Sequence, residues 1–143
     1  MTTSPSSRRR PLRRSTPLLA FVGALLLAAC AKHYPGITKL TAVEAMSLAT
    51  KGEATIVDVR EAAEVEAGIA APARWLPASR MDGGDPGWRQ LLETPKGQQL
   101  VFYCEAGGRA QRAADQWKAK GFQTAWFSGF DEWKGSGLPI KKP

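Results

Sequence analysis

One short segment, residues 99–109, constrains the fold more than any other part of the chain. Its first part, residues 100–103, is short, apolar and rich in aromatic residues, which is typical of a buried strand. After Arg109, small and apolar residues recur at helical spacing until Gly121, where the helix is predicted to end. Cys104 is therefore predicted to lie at the carboxyl end of a strand, beside the start of a helix.

This position makes Cys104 a candidate nucleophile. Most of the residues between it and Arg109 are very small, so the backbone N–H groups of the loop are accessible. The start of the helix adds the positive end of a helix dipole. Both features favour the thiolate, the reactive form of cysteine. The alternative is an inert cysteine that packs as a small hydrophobic residue.

The rest of the chain alternates strands with helices. A helix is predicted over residues 41–51, with Thr41 and Glu44 as a capping box and Gly52 as its end. Further strands are predicted over residues 55–59 and 124–127, and an extended stretch over residues 74–76. A short helical turn is predicted near residues 61–67, and further helices over residues 88–93, 109–120 and 131–134. This alternation predicts the α/β class, with an open parallel sheet of about five strands and helices on both faces.

Four segments, in order along the chain, resemble the motifs of the single-domain rhodaneses, which are sulfurtransferases. They are residues 55–61, 64–77, 104–109 and 128–139. The resemblance covers most of the chain from Leu40 onward and implies a rhodanese-like fold.

The resemblance also implies a role for each residue of the cysteine loop. Cys104 is the expected nucleophile, and the expected substrate-binding residues are Glu105, Ala106, Gly107, Gly108 and Arg109. Arg109 either neutralises the donor or orients the loop through hydrogen bonds. Asp58 and Arg60 end a neighbouring strand, where they either support the site or form a structural ion pair.

The activity implied is the transfer of sulfane sulfur through a persulfide on Cys104. The donor is thiosulfate, a persulfide or a polysulfide, and the acceptor is cyanide or a thiol, which can belong to a protein. This chemistry needs little proton transfer, which suits a domain without histidine: the single histidine of the chain, His33, precedes it. No cofactor is expected. No metal is expected either, since residues 81–87 form a predicted turn whose two carboxylates lack a third ligand.

Two other functions stay open. A non-catalytic rhodanese-like module would bind a partner or carry sulfur, although the usual mark of such a module is loss of the cysteine. A cysteine phosphatase or arsenate reductase combines a cysteine, an N–H cradle and an arginine in a loop one residue longer. Four residues separate Cys104 from Arg109 here, and this shorter ring suits a single sulfur atom.

Glu105 is a departure from the family pattern that affects the choice of donor. It places a carboxylate directly after the nucleophile. A negative charge there is expected to repel the thiosulfate dianion. Thiosulfate is therefore not expected to be the physiological donor.

Residues 1–29 resemble a bacterial lipoprotein signal peptide. Five arginines and no acidic residue precede an apolar run, residues 18–29, which is too short to span a bilayer as a permanent helix. The run ends in the sequence Leu-Ala-Ala-Cys, which resembles a lipobox and implies a lipid on Cys30. The alternative is a plain signal anchor with an incidental cysteine.

On this interpretation, residues 30–39 form a lipidated N-terminus and tether, and residues 40–143 form the rhodanese-like domain. The protein is expected in the cell envelope, anchored to a membrane through its lipid and facing the periplasm or the outside of the cell. Removing the five signal-peptide arginines from the 20 basic residues leaves 15 against 13 acidic residues, a net charge of +2. The charge of +7 for the whole chain therefore does not indicate nucleic-acid binding.

Overall fold

The fold is built on a parallel sheet. A computed structural model of the protein describes Met1 and residues 36–143. Five strands form this sheet: β1 (Thr38–Lys39), β2 (Ala54–Asp58), β4 (Arg74–Trp75), β5 (Gln99–Tyr103) and β6 (Thr124–Phe127). Their order across the sheet is β1-β6-β5-β2-β4, and every neighbouring pair is parallel. Because all run in one direction, their carboxyl ends meet at one edge, where α/β proteins place their ligands.

Helices cover both faces of this sheet. The helices are α1 (Ala42–Thr50), α2 (Pro86–Gln90), α3 (Gly108–Ala119) and α4 (Phe130–Gly135). Alternate side chains of β5 point to opposite faces. Leu100 and Phe102 pack with buried residues of α2 and α3, whereas Val101 and Tyr103 pack with those of α1 and α4. The predicted α/β class, with a parallel sheet between two helical layers, is confirmed.

Most predicted elements lie within one or two residues of the observed ones. Helix α1 begins after Thr41, whose side chain and that of Glu44 form the predicted capping box. The helical segment predicted over residues 88–93 is α2 followed by a 3₁₀ turn, Leu91–Glu93. Asp85, in the predicted turn, accepts hydrogen bonds from the N–H groups of Gly87 and Trp88 and so caps α2.

Two features differ from the prediction. Thr38 and Lys39, which were predicted to lie in the tether, form β1 and pair with Ala125 and Trp126 of β6. A second, antiparallel pair, β3 (Ile69–Ala70) with β7 (Ile140–Lys141), was not predicted. In both cases the strand is too short to show an alternating pattern, so its pairing depends on neighbours distant in sequence.

Residues 2–29 of the predicted signal peptide, together with Cys30 and His33, lie outside the described residues. Within residues 36–143, the helices are too short or too polar for any of them to cross a membrane.

Candidate active site

Cys104 lies at the carboxyl end of β5, the central strand of the sheet. Its side chain is on the α3 face and only 1% exposed. Its Sγ accepts a hydrogen bond from the backbone N–H of Gly107 at 3.1 Å. The thiol therefore sits beside the start of α3, where the helix dipole and the loop N–H group both favour negative charge on sulfur.

Gly107 holds the loop in the shape that aims its N–H group at the sulfur. It is the N-cap of α3, with a φ of +90°, a conformation that side-chain-bearing residues rarely adopt. A Cβ at this position would lie 2.5 Å from Cζ3 of Trp126. Trp126 on β6 thus packs directly against the loop, and only glycine fits between its ring and Cys104.

The other residues of the predicted loop face outward. Glu105, Ala106 and Gly108 are exposed, whereas Gly107 is buried. The carboxylate of Glu105 therefore lies at the surface next to Cys104. The loop is also fixed from the other side, where the N–H group of Phe130 donates to the carbonyl oxygen of Cys104 at 3.3 Å.

The guanidinium of Arg109 is bound to the carboxylate of Glu64. Its Nη1 and Nη2 donate to Oε2 and Oε1 of Glu64 at 2.5 and 2.6 Å, a two-point ion pair between partly buried side chains. Hydrogen bonds from Arg109 lower the pKa of Glu64 to about 2, assisted by the N–H group of Glu61. The same hydrogen bonds raise the pKa of Arg109, with a smaller contribution from the neighbouring Cys104. Both groups are charged at neutral pH, and of the two roles predicted for Arg109, this geometry favours orientation of the loop.

Asp58 and Arg60 form a buried ion pair beneath the site. Their side chains are 0% and 1% exposed, and Nη2 of Arg60 lies 2.7 Å from Oδ2 of Asp58. The Arg60 guanidinium lies over the ring of Phe130, 4.1 Å from its centre. It also donates to the carbonyl oxygens of Glu64 and Gly68 at 2.9 and 2.8 Å. The pair has no route to solvent, which supports the structural alternative.

These contacts connect the buried ion pair to the cysteine loop. Arg60 holds the backbone of the 3₁₀ turn Ala62–Glu64, and the side chain of Glu64 holds Arg109 in the first turn of α3. Asp58, in turn, lies directly beside Tyr103, the residue before Cys104, in the register of β2 with β5. The buried pair thus positions the loop from below.

Glu64 and Trp126 are parts of the site that were not predicted from the sequence. Glu64 is 45 positions from Arg109, and Trp126 lies on a different strand from the loop. The position of Glu64 in the sequence could have indicated it. Glu64 follows the carboxyl end of β2, and the carboxyl ends of β2 and β5 lie at the same edge of the sheet. Trp126 had no local signal, since aromatic residues in a strand are usually core residues.

Comparisons with known proteins agree on the fold. A family model described as a rhodanese-like domain matches residues 41–136. One similar solved structure is a protein from Rhodopseudomonas palustris that is described as of unknown function and a possible tyrosine phosphatase. It is 27% identical to this chain, with a TM-score of 0.61, and the match covers 73% of this chain and 85% of that chain. A comparison with curated proteins found no match.

Two further solved structures share the fold at lower identity. A rhodanese-related protein from Thermoplasma volcanium is 19% identical over 73% of this chain and 97% of that chain, with a TM-score of 0.59. A variant of EanB, described as a complex with ergothioneine covalently linked to a cysteine persulfide, is 21% identical, with a TM-score of 0.60. That match covers 74% of this chain but 28% of the EanB chain.

Proposed function

The chain belongs to the rhodanese-like domain family, and on this premise we propose that it is a sulfurtransferase that carries sulfane sulfur as a persulfide on Cys104. One observation carries the proposal. The sulfur of Cys104 sits at the carboxyl end of the central strand, 3.1 Å from an N–H donor at the start of α3. A sulfur atom attached to Cys104 would carry its negative charge near these same groups.

The proposed reaction has two steps. The Cys104 thiolate attacks the outer sulfur of the donor, and a new S–S bond forms as the donor's bond to that sulfur breaks. Sulfite leaves from thiosulfate, or a thiolate from a persulfide, and takes the electron pair. An acceptor thiolate or cyanide then attacks the outer sulfur of the persulfide and restores the Cys104 thiolate. No net oxidation occurs, so the cycle needs no electron carrier.

The local structure supports this chemistry in two ways. The leaving groups are stable anions, so a site without histidine in the described residues can release them. Only 1% of Cys104 is exposed, so a persulfide on it would be largely shielded from bulk solvent. The EanB complex, described as holding a cysteine persulfide in a chain that contains this fold, is a precedent for the intermediate.

A cysteine phosphatase is the second candidate, because the Rhodopseudomonas protein is described as a possible tyrosine phosphatase. Phosphate binding in such a loop requires an arginine that faces the anion. Here both Nη groups of Arg109 are bound to Glu64. The geometry therefore favours sulfur transfer over phosphate hydrolysis.

Mass spectrometry of the purified protein tests the proposal. After treatment with thiosulfate or inorganic polysulfide, we expect one added sulfur on the peptide that contains Cys104, and its removal by cyanide with release of thiocyanate. A protein that gains no sulfur from either donor but hydrolyses p-nitrophenyl phosphate would support the phosphatase instead. A protein inactive in both assays would indicate a non-catalytic binding module.

We also propose that the protein is a lipoprotein of the cell envelope, on the strength of the Leu-Ala-Ala-Cys sequence before Ala31. Cys30→Ala should leave an unprocessed or differently processed chain, because the modified thiol is absent. Metabolic labelling with a palmitate analogue should mark the wild type but not the variant. Cys104→Ala is the matched control, and lipid retained on Cys30→Ala would contradict the proposal.

A further inference from the structure

We infer that the site selects its sulfur donor by charge and favours donors of low negative charge over the thiosulfate dianion. This inference rests on the proposed function, and it concerns the donor rather than the existence of the persulfide. The inference is based on the charged groups around the cysteine loop. Some of them have an ion-pair partner of opposite charge, and others do not.

The cation of the loop is compensated. Arg109 is the one basic residue within residues 104–109, and both of its Nη groups are bound to the Glu64 carboxylate. With the pKa of Glu64 lowered to about 2, this partner stays ionised throughout the neutral range. The pair has no net charge, and an incoming sulfonate would compete with the Glu64 carboxylate for both Nη groups of Arg109.

The carboxylate of Glu105, by contrast, has no ion-pair partner among the described residues. Glu105 is also exposed. The attacking Cys104 thiolate adds a second negative charge, which the nearby Arg109 offsets only in part because its guanidinium is bound to Glu64. The buried Asp58–Arg60 pair beneath them is neutral overall. A dianionic donor therefore meets net negative charge at the moment of attack, whereas a monoanionic or neutral donor meets a smaller penalty.

Lys39 is the cation that would weaken this inference. Its Nζ lies 5.1 Å from the centre of the Trp126 ring, and that ring packs against Gly107. The ammonium and the loop therefore both lie against the same indole. We expect Lys39 to stabilise Trp126 rather than bind the donor, and a Lys39→Gln variant tests this directly.

Two donors with matched chemistry isolate the effect of charge. Thiosulfate and methanethiosulfonate both deliver an outer sulfur attached to a sulfonyl group, but methyl replaces one charged oxygen in the second. The Cys104 thiolate displaces sulfite from thiosulfate and methanesulfinate from methanethiosulfonate, with the same S–S bond broken and the same persulfide formed. The ratio of their kcat/KM values, thiosulfate over methanethiosulfonate, cancels any general damage to the loop; we call it the donor ratio.

The wild-type protein is expected to show a donor ratio that rises with ionic strength, because salt screens repulsion of the dianion. Glu64→Gln keeps a hydrogen-bond partner for Arg109 but removes the compensating charge, and should raise the donor ratio about five-fold. Glu105→Gln should raise it by a similar factor. Glu93→Gln, the same change in the turn that leads to the amino end of β5, should leave it unchanged.

The double variant Glu64→Gln/Arg109→Gln gives the sharpest test. It removes the whole ion pair without changing the net charge, so the donor ratio should stay within about two-fold of the wild type. A fall of about ten-fold or more would show that Arg109 binds the sulfonate, and would overturn the inference. A similar fall in Lys39→Gln, or a wild-type donor ratio that decreases with salt, would overturn it as well.

These failures are distinct from failure of the proposed function. If neither of these donors nor inorganic polysulfide places a sulfur on Cys104, the sulfurtransferase proposal itself is wrong. If both donors load Cys104 but the ratios behave as just described for a bound sulfonate, only the inference on charge is wrong.

Discussion

Cys104→Ser is expected to abolish sulfur transfer from every donor. The serine hydroxyl is not ionised at neutral pH, and it cannot carry a sulfur atom as a persulfide. We expect kcat/KM to fall at least about 10³-fold, to the rate of the uncatalysed reaction. The assay is the formation of thiocyanate from cyanide, with thiosulfate and methanethiosulfonate measured separately.

Serine is a suitable replacement because it preserves the volume and a polar atom at a buried position. Cys104 packs with Phe102 and Ala110 in the core on the α3 face, so a larger change would confuse loss of chemistry with loss of fold. Urea unfolding of the variant serves as the control and should stay close to that of the wild type. Donor-dependent transfer that survives in a folded Cys104→Ser protein would contradict Cys104 as the carrier.

A cysteine phosphatase would also lose activity with this substitution. The product therefore has to be identified, not only the loss of rate. Wild-type protein that forms thiocyanate and fails to hydrolyse p-nitrophenyl phosphate separates the two chemistries, and Cys104→Ser then assigns the transfer to one atom.

The elements that were predicted well are those specified by residues close in sequence. The capping box of α1 is an example: the N–H group of Thr41 donates to Oε2 of Glu44 at 2.7 Å, and that of Glu44 donates to Oγ1 of Thr41 at 3.2 Å. Strand β5 and the start of α3 are similar, since an apolar run, a cysteine and glycines occupy adjacent positions. Local signals of this kind place Cys104 without knowledge of the strand order.

The parts that were missed depend on contacts between distant residues. Thr38 and Lys39 form a strand only because β6 offers a parallel edge. Glu64 becomes the partner of Arg109 only once β2 and β5 are neighbours, and no local pattern specifies that pairing. The position of Cys104 at the end of β5 could thus be predicted from the sequence. The net charge around it could not, because that charge depends on the ion pair between Glu64 and Arg109, which forms only in the folded chain.

Asp58→Ala is expected to produce the largest loss of stability among the predicted variants. It would leave the guanidinium of Arg60, which is 1% exposed, without its carboxylate. Removing one partner of a buried pair costs about 3–5 kcal/mol, because an uncompensated charge remains in the core. The free energy of unfolding in urea measures this loss.

Two comparisons show whether the uncompensated charge is the cause. Asp131→Ala breaks an exposed pair, in which Oδ1 of Asp131 lies 2.8 Å from Nζ of Lys134, and should lower the free energy of unfolding far less than Asp58→Ala does. The double variant Asp58→Ala/Arg60→Leu removes both charges and should recover part of the stability lost in Asp58→Ala, since an apolar side chain avoids the desolvation penalty. A double variant that is no more stable than Asp58→Ala would contradict this explanation. The stability gained from the hydrogen bonds of Arg60 to the carbonyl oxygens of Glu64 and Gly68 would then exceed the cost of burying its charge. Arg60 would stabilise the fold mainly by fixing the turn whose Glu64 binds Arg109.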